Sequence, residues 1–281
     1  MDAIARTLGE KASRSLGHPF VIDNKPGAGG NIGADLVAKS PADGYTIMIT
    51  SIGMATNKAL YAKLNYDPVK DFAPVSLLAV VPNVLVTNKT QPDVRTLADV
   101  IAPAKAKPGE VAIATEGPKT FSGMLADSVA GMAGVRLNHV PYTKAPDALQ
   151  DVLGGRVQLV CLPDAALTSY LQAGTIRALA VSTGKRVPGM PDVPSLSETF
   201  AGFDYAGWNG LFAPAGTPAD IISRVNRDVE AVLQQPEAAQ RLQFLGSQPE
   251  HRMSVAEFDT FMRSERERWA RLVKQLDIQP E

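Results

Sequence analysis

Residues 137–181 read LNHVPYTKAPDALQDVLGGRVQLVCLPDAALTSYLQAGTIRALAV, and this stretch decides the fold class. Short apolar runs of strand length alternate in it with longer amphipathic runs, and glycines end each of the longer runs. The pattern predicts strands at 137–140, 157–161 and 176–181, separated by helices at 146–153 and 165–172. A helix between consecutive strands is the connection that parallel strands need. The stretch therefore predicts an α/β fold with a mostly parallel sheet and helices on both faces.

The same alternation continues on the N-terminal side of this stretch. Residues 111–114 predict a strand, and residues 121–133 predict a helix that ends at a glycine. Nearer the start, a helical opening is followed by short strands predicted at 20–23 and 45–50. The chain thus reads as one repeated strand-and-helix pattern from its first residues to its middle.

The C-terminal part is predicted to be helical. Thr217 precedes a proline and is expected to cap one helix, and Ser254 with Glu257 three residues later predicts a capping box at the start of another. A chain of 281 residues is long enough for two lobes. Since no low-complexity linker is present, we expect crossing strands rather than a tether to join them.

The composition excludes several classes of protein. The chain has 28 Lys and Arg against 29 Asp and Glu, so it lacks the positive charge that attracts nucleic acid. Charged or polar residues interrupt every apolar run well short of the ~20 residues that span a bilayer. Cys161 is the only cysteine, so no internal disulfide can form. Its apolar neighbours predict a buried strand thiol rather than a reactive nucleophile.

No catalytic or metal-binding constellation is visible in the sequence. There is no GxSxG motif, and the three histidines, His18, His139 and His251, lack the spacing of metal ligands. His139 lies in an apolar strand and is predicted to be a hydrogen-bonded core residue rather than a base. We therefore expect no enzyme, no cofactor and no metal.

A glycine-rich loop at 25–30 lies between a predicted strand and a helix, where dinucleotide-binding loops occur. The spacing departs from GxGxxG, because Ile32 occupies the place of the third glycine and Gly33 comes one residue late. A P-loop is excluded, since no Gly-Lys-Ser/Thr ends the segment. Three interpretations stay open: a tight structural turn, close backbone approach to an anion, and a dinucleotide site. Asn31 is predicted to cap the helix that follows.

Small polar turns recur where a predicted strand passes into a helix, at 50–53, 115–120 and 140–144. Each places backbone N–H groups with a hydroxyl or ammonium at the carboxyl end of a strand, where open sheets bind ligands and helix N-termini favour anions. Ordinary capped loops are the alternative. The candidate ligand-binding residues are Ser51, Ile52, Gly53, Thr115, Gly117, Lys119, Thr120, Tyr142 and Asp164.

Several longer strings carry a resemblance to a known family. They are NKPGAGGNIG at 24–33, LNYDPVKDFAPV at 64–75, HVPY at 139–142, GTIRALAV at 174–181 and WNGLFAPAGTP at 208–218. In this order and spacing they resemble the Bug proteins, the solute receptors of tripartite tricarboxylate transporters. The resemblance extends over essentially the whole chain.

This resemblance implies a two-lobed periplasmic-binding-protein-like fold, with lobe one at 1–98 and 206–281 and lobe two at 99–205. It implies a small carboxylate held in the cleft between lobes, largely by backbone amides and ordered water, a periplasmic location, and the membrane subunits of the transporter as partners. Two other functions stay open: a carboxylate sensor that reports to a signalling partner, and an enzyme that uses an anionic cofactor at the glycine-rich loop.

The chain departs from the family pattern around the second polar turn and within the third. Gly123 stands where the family has a histidine, and Glu116 and Lys119 are unusual there; Lys144 replaces a glycine. We therefore expect ligand charges that differ from those of close relatives. Lys119 or Lys144 is predicted to meet a second ligand charge, unless both are surface residues.

The start of the chain also departs from the family. Residues 1–6 read as a helix already under way rather than as a signal peptide, and the resemblance places the family's first strand and Gly-Gly loop before Asp2. We expect either a shortened member of low stability and weak affinity, or a start codon assigned too late for a longer, exported protein.

Overall fold

The computed structural model describes residues 1–91, 93–117, 120–249 and 253–280. The helices in these ranges are α1 Asp2–Leu16, α2 Asn31–Ala38, α3 Gly53–Leu60, α4 Ala98–Ala106, α5 Phe121–Ala133, α6 Ala145–Leu153, α7 Asp164–Gln172, α8 Ala219–Leu233, α9 Pro236–Phe244 and α10 Val255–Gln275. The strands are β1 Met48–Ser51, β2 Phe72–Val81, β3 Asn83–Asn88, β4 Ala112–Thr115, β5 Asn138–Pro141, β6 Leu159–Pro163, β7 Ile176–Val181, β8 Gly207–Pro214 and β9 Gln248–Pro249.

The chain divides into two compact units. Unit 1 comprises Met1–Val80 and Trp208–Glu281, and unit 2 comprises Val81–Gly207. The discontinuous arrangement is the one expected for the two lobes, but the first boundary falls at Val80 rather than near residue 98. The reason is β3, which pairs with β6 on one side and with β7 on the other. These pairings place β3 inside the sheet of unit 2.

The sheet of unit 2 has the strand order β5-β4-β6-β3-β7. β4 runs parallel to β5 and β6, and β3 runs antiparallel to β6 and β7, so four of the five strands point the same way. The α/β class and the mostly parallel sheet predicted from residues 137–181 are confirmed here. Helix 121–133 and strand 176–181 have the predicted bounds, and the other predicted elements of 111–181 lie within two residues of theirs.

Successive side chains along the strands of unit 2 pack alternately into two cores, one on each face of the sheet. Leu85 and Ile113 pack with Leu125 of α5, and their chain neighbours Val84 and Ala114 pack on the opposite face with α6 and α7. Successive strand residues point to opposite faces, so both kinds of position must be apolar when helices cover the sheet on both sides. Each fully buried large apolar side chain contributes about 1.5–3 kcal/mol relative to its exposed state.

Unit 1 has a sheet of order β1-β8-β2-β9. β1 pairs with β8, and β2 pairs with β9; both pairs are antiparallel. This sheet therefore differs from the mostly parallel arrangement that was predicted. β8 belongs to the C-terminal segment of the unit, so no local helical crossover sets its direction relative to β1. Apolar stripes of α1, α8 and α9, represented by Ile4, Val229 and Leu242, pack with Val75 and Leu211 of the strands.

A buried carboxylate lies among the aromatic side chains of unit 1. Glu265 of α10 is 1% exposed and accepts hydrogen bonds from the indole nitrogens of Trp208 at 2.8 Å and Trp269 at 3.0 Å. Arg268 forms an ion pair with the same carboxylate. A charge can be buried at tolerable cost only when it is paired and hydrogen-bonded in this way.

Two predicted strands of unit 1 differ from the structure. Residues 20–23 form no strand, and Val21 is 88% exposed; the strand predicted at 45–50 begins only at Met48, and Tyr45 is 92% exposed. Both segments have strand-like composition. A strand also requires a neighbouring strand to receive its backbone hydrogen bonds, and composition does not report whether one is there.

The predicted caps had mixed outcomes. Ser254 accepts from the backbone N–H of Glu257 at 3.3 Å and the Glu257 carboxylate accepts in return, so the capping box is confirmed. The predictions for Asn31 and Thr217 were wrong. Gly30 precedes α2 without a side-chain cap, and the Thr217 hydroxyl donates to the carbonyl of Pro214 instead.

Cys161 and His139 occupy different environments in unit 2. Cys161 is 2% exposed in β6, which confirms the buried strand thiol, and burial raises the pKa of this thiol to about 12. His139 lies in β5 at the edge of the sheet, half-buried, with Nε2 2.9 Å from Asp127 Oδ1. It is therefore an edge residue with a carboxylate neighbour rather than a core histidine.

Across the described residues, every helix is too short or too polar to cross a membrane.

Candidate functional site

The turn that follows β4 is held by hydrogen bonds within unit 2. Thr115, the last residue of the strand, is fully buried, and its Oγ1 accepts from the Gly117 N–H at 3.2 Å. The Thr115 carbonyl accepts from the Tyr142 N–H at 2.9 Å, which ties the turn to the end of β5. Gly117 has φ = 122°, a conformation that glycine adopts without a Cβ clash. The backbone at Thr115 and Gly117 is thereby held in place.

Helix α5 begins directly after this turn. The Thr120 hydroxyl accepts from the Gly123 N–H at 3.2 Å and lies 2.6 Å from the Gly117 carbonyl, to which it donates. Ser122 accepts from the Glu116 N–H at 3.0 Å. The Thr120 hydroxyl is therefore occupied as an N-cap, and the helix N-terminus faces the carboxyl end of β4, where its dipole favours a negative charge.

Asp164 lies at the same end of the sheet, the end formed by the carboxyl termini of the parallel strands. It is the first residue of α7 and follows β6 directly. Since β4 and β6 are parallel neighbours, with Ala114 opposite Val160, their carboxyl ends lie side by side. The Asp164 N–H donates to the Pro82 carbonyl at 3.0 Å, which fixes the backbone of the strand end. Burial raises the pKa of the Asp164 carboxyl. The structure thus brings Thr115, Gly117, Thr120 and Asp164 to one edge.

Tyr142 joins this edge through its backbone alone. Its hydroxyl donates to Asp151 Oδ2 at 2.5 Å, and Asp151 also pairs with Arg156. Lost hydration and the Asp151 hydrogen bond raise the pKa of Tyr142 to about 12. The hydroxyl predicted to line the ligand site is therefore held by α6.

Three charged residues of the second and third polar turns depart from the family pattern: Glu116, Lys119 and Lys144. Lys119 lies outside the described residues, and Lys144 is exposed at the residue preceding α6. Glu116, absent from the candidate set, comes immediately after β4, and lost hydration raises the pKa of its carboxyl. Ser122 Oγ lies 3.5 Å from Glu116 Oε2. In the sequence, the departure of Glu116 from the family pattern was the signal that could have marked it as a candidate.

The candidate residues of unit 1 also mark a strand end. Ser51 ends β1, Ile52 follows, and Gly53 is the first residue of α3. The Ile52 carbonyl accepts from the N–H groups of Ala55 at 2.8 Å and Thr56 at 3.0 Å, so the helix starts without an intervening loop. This places the N-terminus of α3 at the carboxyl end of β1.

The glycine-rich loop of unit 1 is anchored to α3 through Asn31. Asn31 Oδ1 accepts from Asn57 Nδ2 and from the Tyr66 hydroxyl, each at 2.6 Å. Gly29 has φ = 62°, and a Cβ there would lie 3.0 Å from the Tyr61 hydroxyl oxygen. Of the three interpretations of the loop, this geometry favours the tight structural turn.

Among the described residues, no group of three or more His, Cys, Asp and Glu side chains could hold a metal ion.

Comparisons with known proteins agree along nearly the whole chain. The family model described as "Tripartite tricarboxylate transporter family receptor" matches residues 4–278. The "UPF0065 protein in tcbD-tcbE intergenic region" of Pseudomonas sp. (strain P51) is 35% identical, over 97% of this chain and 81% of that protein. "Protein BugT" of Bordetella pertussis is 34% identical, over 98% of this chain and 84% of that protein.

Solved structures give the same picture. Rpa4515 of R. palustris with adipate superposes with a TM-score of 0.87 at 36% identity, covering 100% of this chain and 94% of that one. The periplasmic binding protein BugD gives 0.84 at 29% identity, with coverage of 100% and 94%. MatC of Rhodopseudomonas palustris with bound malate gives 0.81 at 30% identity, with coverage of 97% and 94%.

Proposed function

Since the chain belongs to the tripartite tricarboxylate transporter receptor family, we propose that it captures a small carboxylate and delivers it to the membrane subunits of such a transporter. The observation that carries this proposal is the set of hydrogen bonds of Thr115, Gly117 and Thr120, which lie between a buried parallel strand and the N-terminus of α5. These three residues are held by hydrogen bonds before any ligand arrives, so little of their conformational entropy is lost on binding. The work of the molecule is binding rather than catalysis.

The electrostatics of the strand ends support an anionic ligand. A helix N-terminus stabilises a nearby negative charge by about 0.3–1 kcal/mol, and unpaired amides at such a terminus donate directly to a carboxylate. In unit 1 the residues assigned to the ligand are Ser51, Ile52 and Gly53. In unit 2 they are Thr115, Gly117, Thr120 and Asp164, with the Tyr142 N–H supporting the turn. Lys119 stays a prediction.

Two of the similar structures hold ligands of this class, adipate in one and malate in the other. Both ligands are dicarboxylates, and both proteins are at least 30% identical to this chain. The same family membership supports a periplasmic location, because a receptor of this kind meets its solute before the membrane subunits do.

A thermal-shift screen of carboxylates tests the proposal. A ligand that binds only the folded protein adds about 2.7 kcal/mol of stability at a concentration 100 times its Kd. We expect at least one small carboxylate to raise the Tm, while its neutral amide analogue, NAD and ATP leave the Tm unchanged. A folded protein whose Tm responds to none of the carboxylates would contradict the proposal.

Delivery requires a separate measurement. Uptake of the radiolabelled ligand by cells that express the membrane subunits should depend on this chain, and a variant that no longer binds the ligand should abolish uptake. If uptake continues unchanged without the chain, the chain captures the ligand but does not deliver it to the membrane subunits, as expected for a sensor.

A further inference from the structure

One buried asparagine of unit 1 has a side chain without a hydrogen-bond partner. Asn209 lies near the start of β8 and is 5% exposed. Among the residues that the structure describes, no hydrogen bond involves its carboxamide. Burying an amide that is not hydrogen-bonded is costly, so this side chain calls for an explanation.

A second asparagine of unit 1 shows how a buried amide is ordinarily satisfied. Asn226 of α8 is 8% exposed, and its Nδ2 donates to the carbonyl oxygens of Val75 at 2.8 Å and Met253 at 3.2 Å. Those bonds join a helix to a strand and to the segment before α10. Asn209 is buried to the same degree but makes no such connection.

The register of the sheet places Asn209 beside Ser51. The two residues lie directly opposite each other in the antiparallel pair formed by β8 and β1. Side chains opposite each other in such a pair point to the same face, with Cβ atoms about 4.5–5.5 Å apart. Ser51 is the last residue of β1, so Asn209 lies at the strand end that carries the unit 1 residues assigned to the ligand.

The apolar core on this face of the sheet ends at the same pair. Ile49 lies opposite Leu211, two residues earlier in β1, and this pair packs in the core that contains Ile4 of α1. Because side chains two residues apart in a strand share a face, Ser51 and Asn209 continue the same row. The row therefore changes from apolar to polar at the strand end.

A purely structural role does not account for the amide of Asn209. A bond between the Asn209 carboxamide and the Ser51 hydroxyl would satisfy both groups, but in the part of the chain that the structure describes neither bonds to the other. Packing alone needs no polar atoms, since a leucine side chain has nearly the same size. A partner brought by a ligand satisfies the amide.

We propose that Asn209 is a ligand-binding residue of unit 1 and that its Nδ2 donates to a ligand carboxylate beside Ser51. Asparagine supplies two N–H donors without a charge, and a hydrogen bond to a carboxylate is stronger than one to a neutral acceptor. This inference rests on the proposed function and adds to its site a residue outside the candidate set.

Asn209→Leu removes both polar atoms of the amide and keeps nearly the same size. The wild type and the variant are compared by calorimetry with the carboxylate that raises the wild-type Tm most in a screen that includes adipate and malate. We expect the variant to bind at least tenfold more weakly. The Tm of its ligand-free form should equal or exceed the wild-type value, because no hydrogen bond within the unit is lost.

Asn226→Leu is the matched control, since it makes the same substitution at another buried asparagine of unit 1. It removes the two bonds to Val75 and Met253, so the Tm of the ligand-free protein should fall. Calorimetry below that Tm should give the wild-type affinity. A fold-supporting amide and a ligand-binding amide thus have opposite effects on stability and on binding.

The outcomes separate the two proposals. If Asn209→Leu loses less than tenfold in affinity, or if its ligand-free Tm falls below that of the wild type, this inference is overturned and the proposed function stands. If no carboxylate raises the wild-type Tm, the proposed function fails and this inference fails with it.

Discussion

Individual hydroxyl groups in this protein serve the backbone before they can serve a ligand. Thr115 receives the Gly117 N–H, Thr120 caps α5, and the Tyr142 hydroxyl donates to Asp151. All three were predicted from the sequence to line the ligand site. The structure shows that a ligand would have to compete with these bonds, and the N–H groups of Glu116 and Gly117 also donate within the unit.

Glu265 provides a prediction at the scale of one residue. Glu265→Ala removes the shared acceptor of Trp208 and the pairing partner of Arg268 from a buried site, and breaking a buried ion pair costs about 3–5 kcal/mol. Urea unfolding should show a loss of about that size. The protein has only two tryptophans, both bonded to this carboxylate, so their fluorescence should also change.

Glu267→Ala is the control for this prediction. Glu267 lies two residues away on α10, is largely exposed and pairs with Arg271 at the surface. Surface ion pairs contribute little, so this variant should unfold at nearly the wild-type urea concentration. Equal losses in the two variants would show that the buried carboxylate has no special role.

Single elements were predicted best where the local chemistry at their ends is sufficient. Helix 121–133 was predicted with its observed bounds because Thr120 caps one end and Gly134, with φ = 64°, ends the other. The capping box at Ser254 held for the same reason. The caps predicted at Asn31 and Thr217 failed because other partners take those side chains: Asn57 and Tyr66 bond to Asn31, and Thr217 donates to the nearby carbonyl of Pro214.

Two glycines around α5 provide a prediction at the scale of the element. Gly131→Ala should stabilise the protein by about 0.5–1 kcal/mol, because Gly131 is exposed within the helix and a Cβ there meets no atom within 4 Å. Gly117→Ala should instead destabilise it by about 1–3 kcal/mol, since φ = 122° is strained for alanine.

Denaturant unfolding of both variants checks this pair. The opposite signs are the essential result, because the two substitutions are chemically identical and differ only in backbone conformation. A stable Gly117→Ala protein would mean that the turn relaxes easily, and the fixed geometry assigned to the ligand site would be wrong.

At the scale of the whole molecule, membership of the transporter receptor family confirms the resemblance to the Bug proteins and the prediction that the chain is a binding protein rather than an enzyme. The division of the chain into units was harder to predict. The expected boundary near residue 98 assigns β3 to unit 1, whereas the structure places it between β6 and β7 of unit 2.

This difference yields a prediction at the same scale. Unit 2 is continuous in sequence and contains its whole sheet and both of its cores, so a fragment of residues 81–207 should fold on its own with a cooperative urea transition. A fragment of residues 99–205 should not, because it lacks β3 and leaves β6 and β7 without their shared partner. Circular dichroism of the two fragments decides between the boundaries.

What the sequence determined by itself is the local part of this protein: the α/β pattern of unit 2, the helix ends with complete caps, the buried thiol of Cys161 and the family strings. These depend on residues close together in the chain, where periodicity and capping chemistry act. Only the tertiary structure decided that 20–23 is not a strand, that β3 belongs to unit 2, and that Glu116 and Asp164 share an edge. Strand pairing and the meeting of distant side chains depend on which segments become neighbours, and no local pattern encodes that.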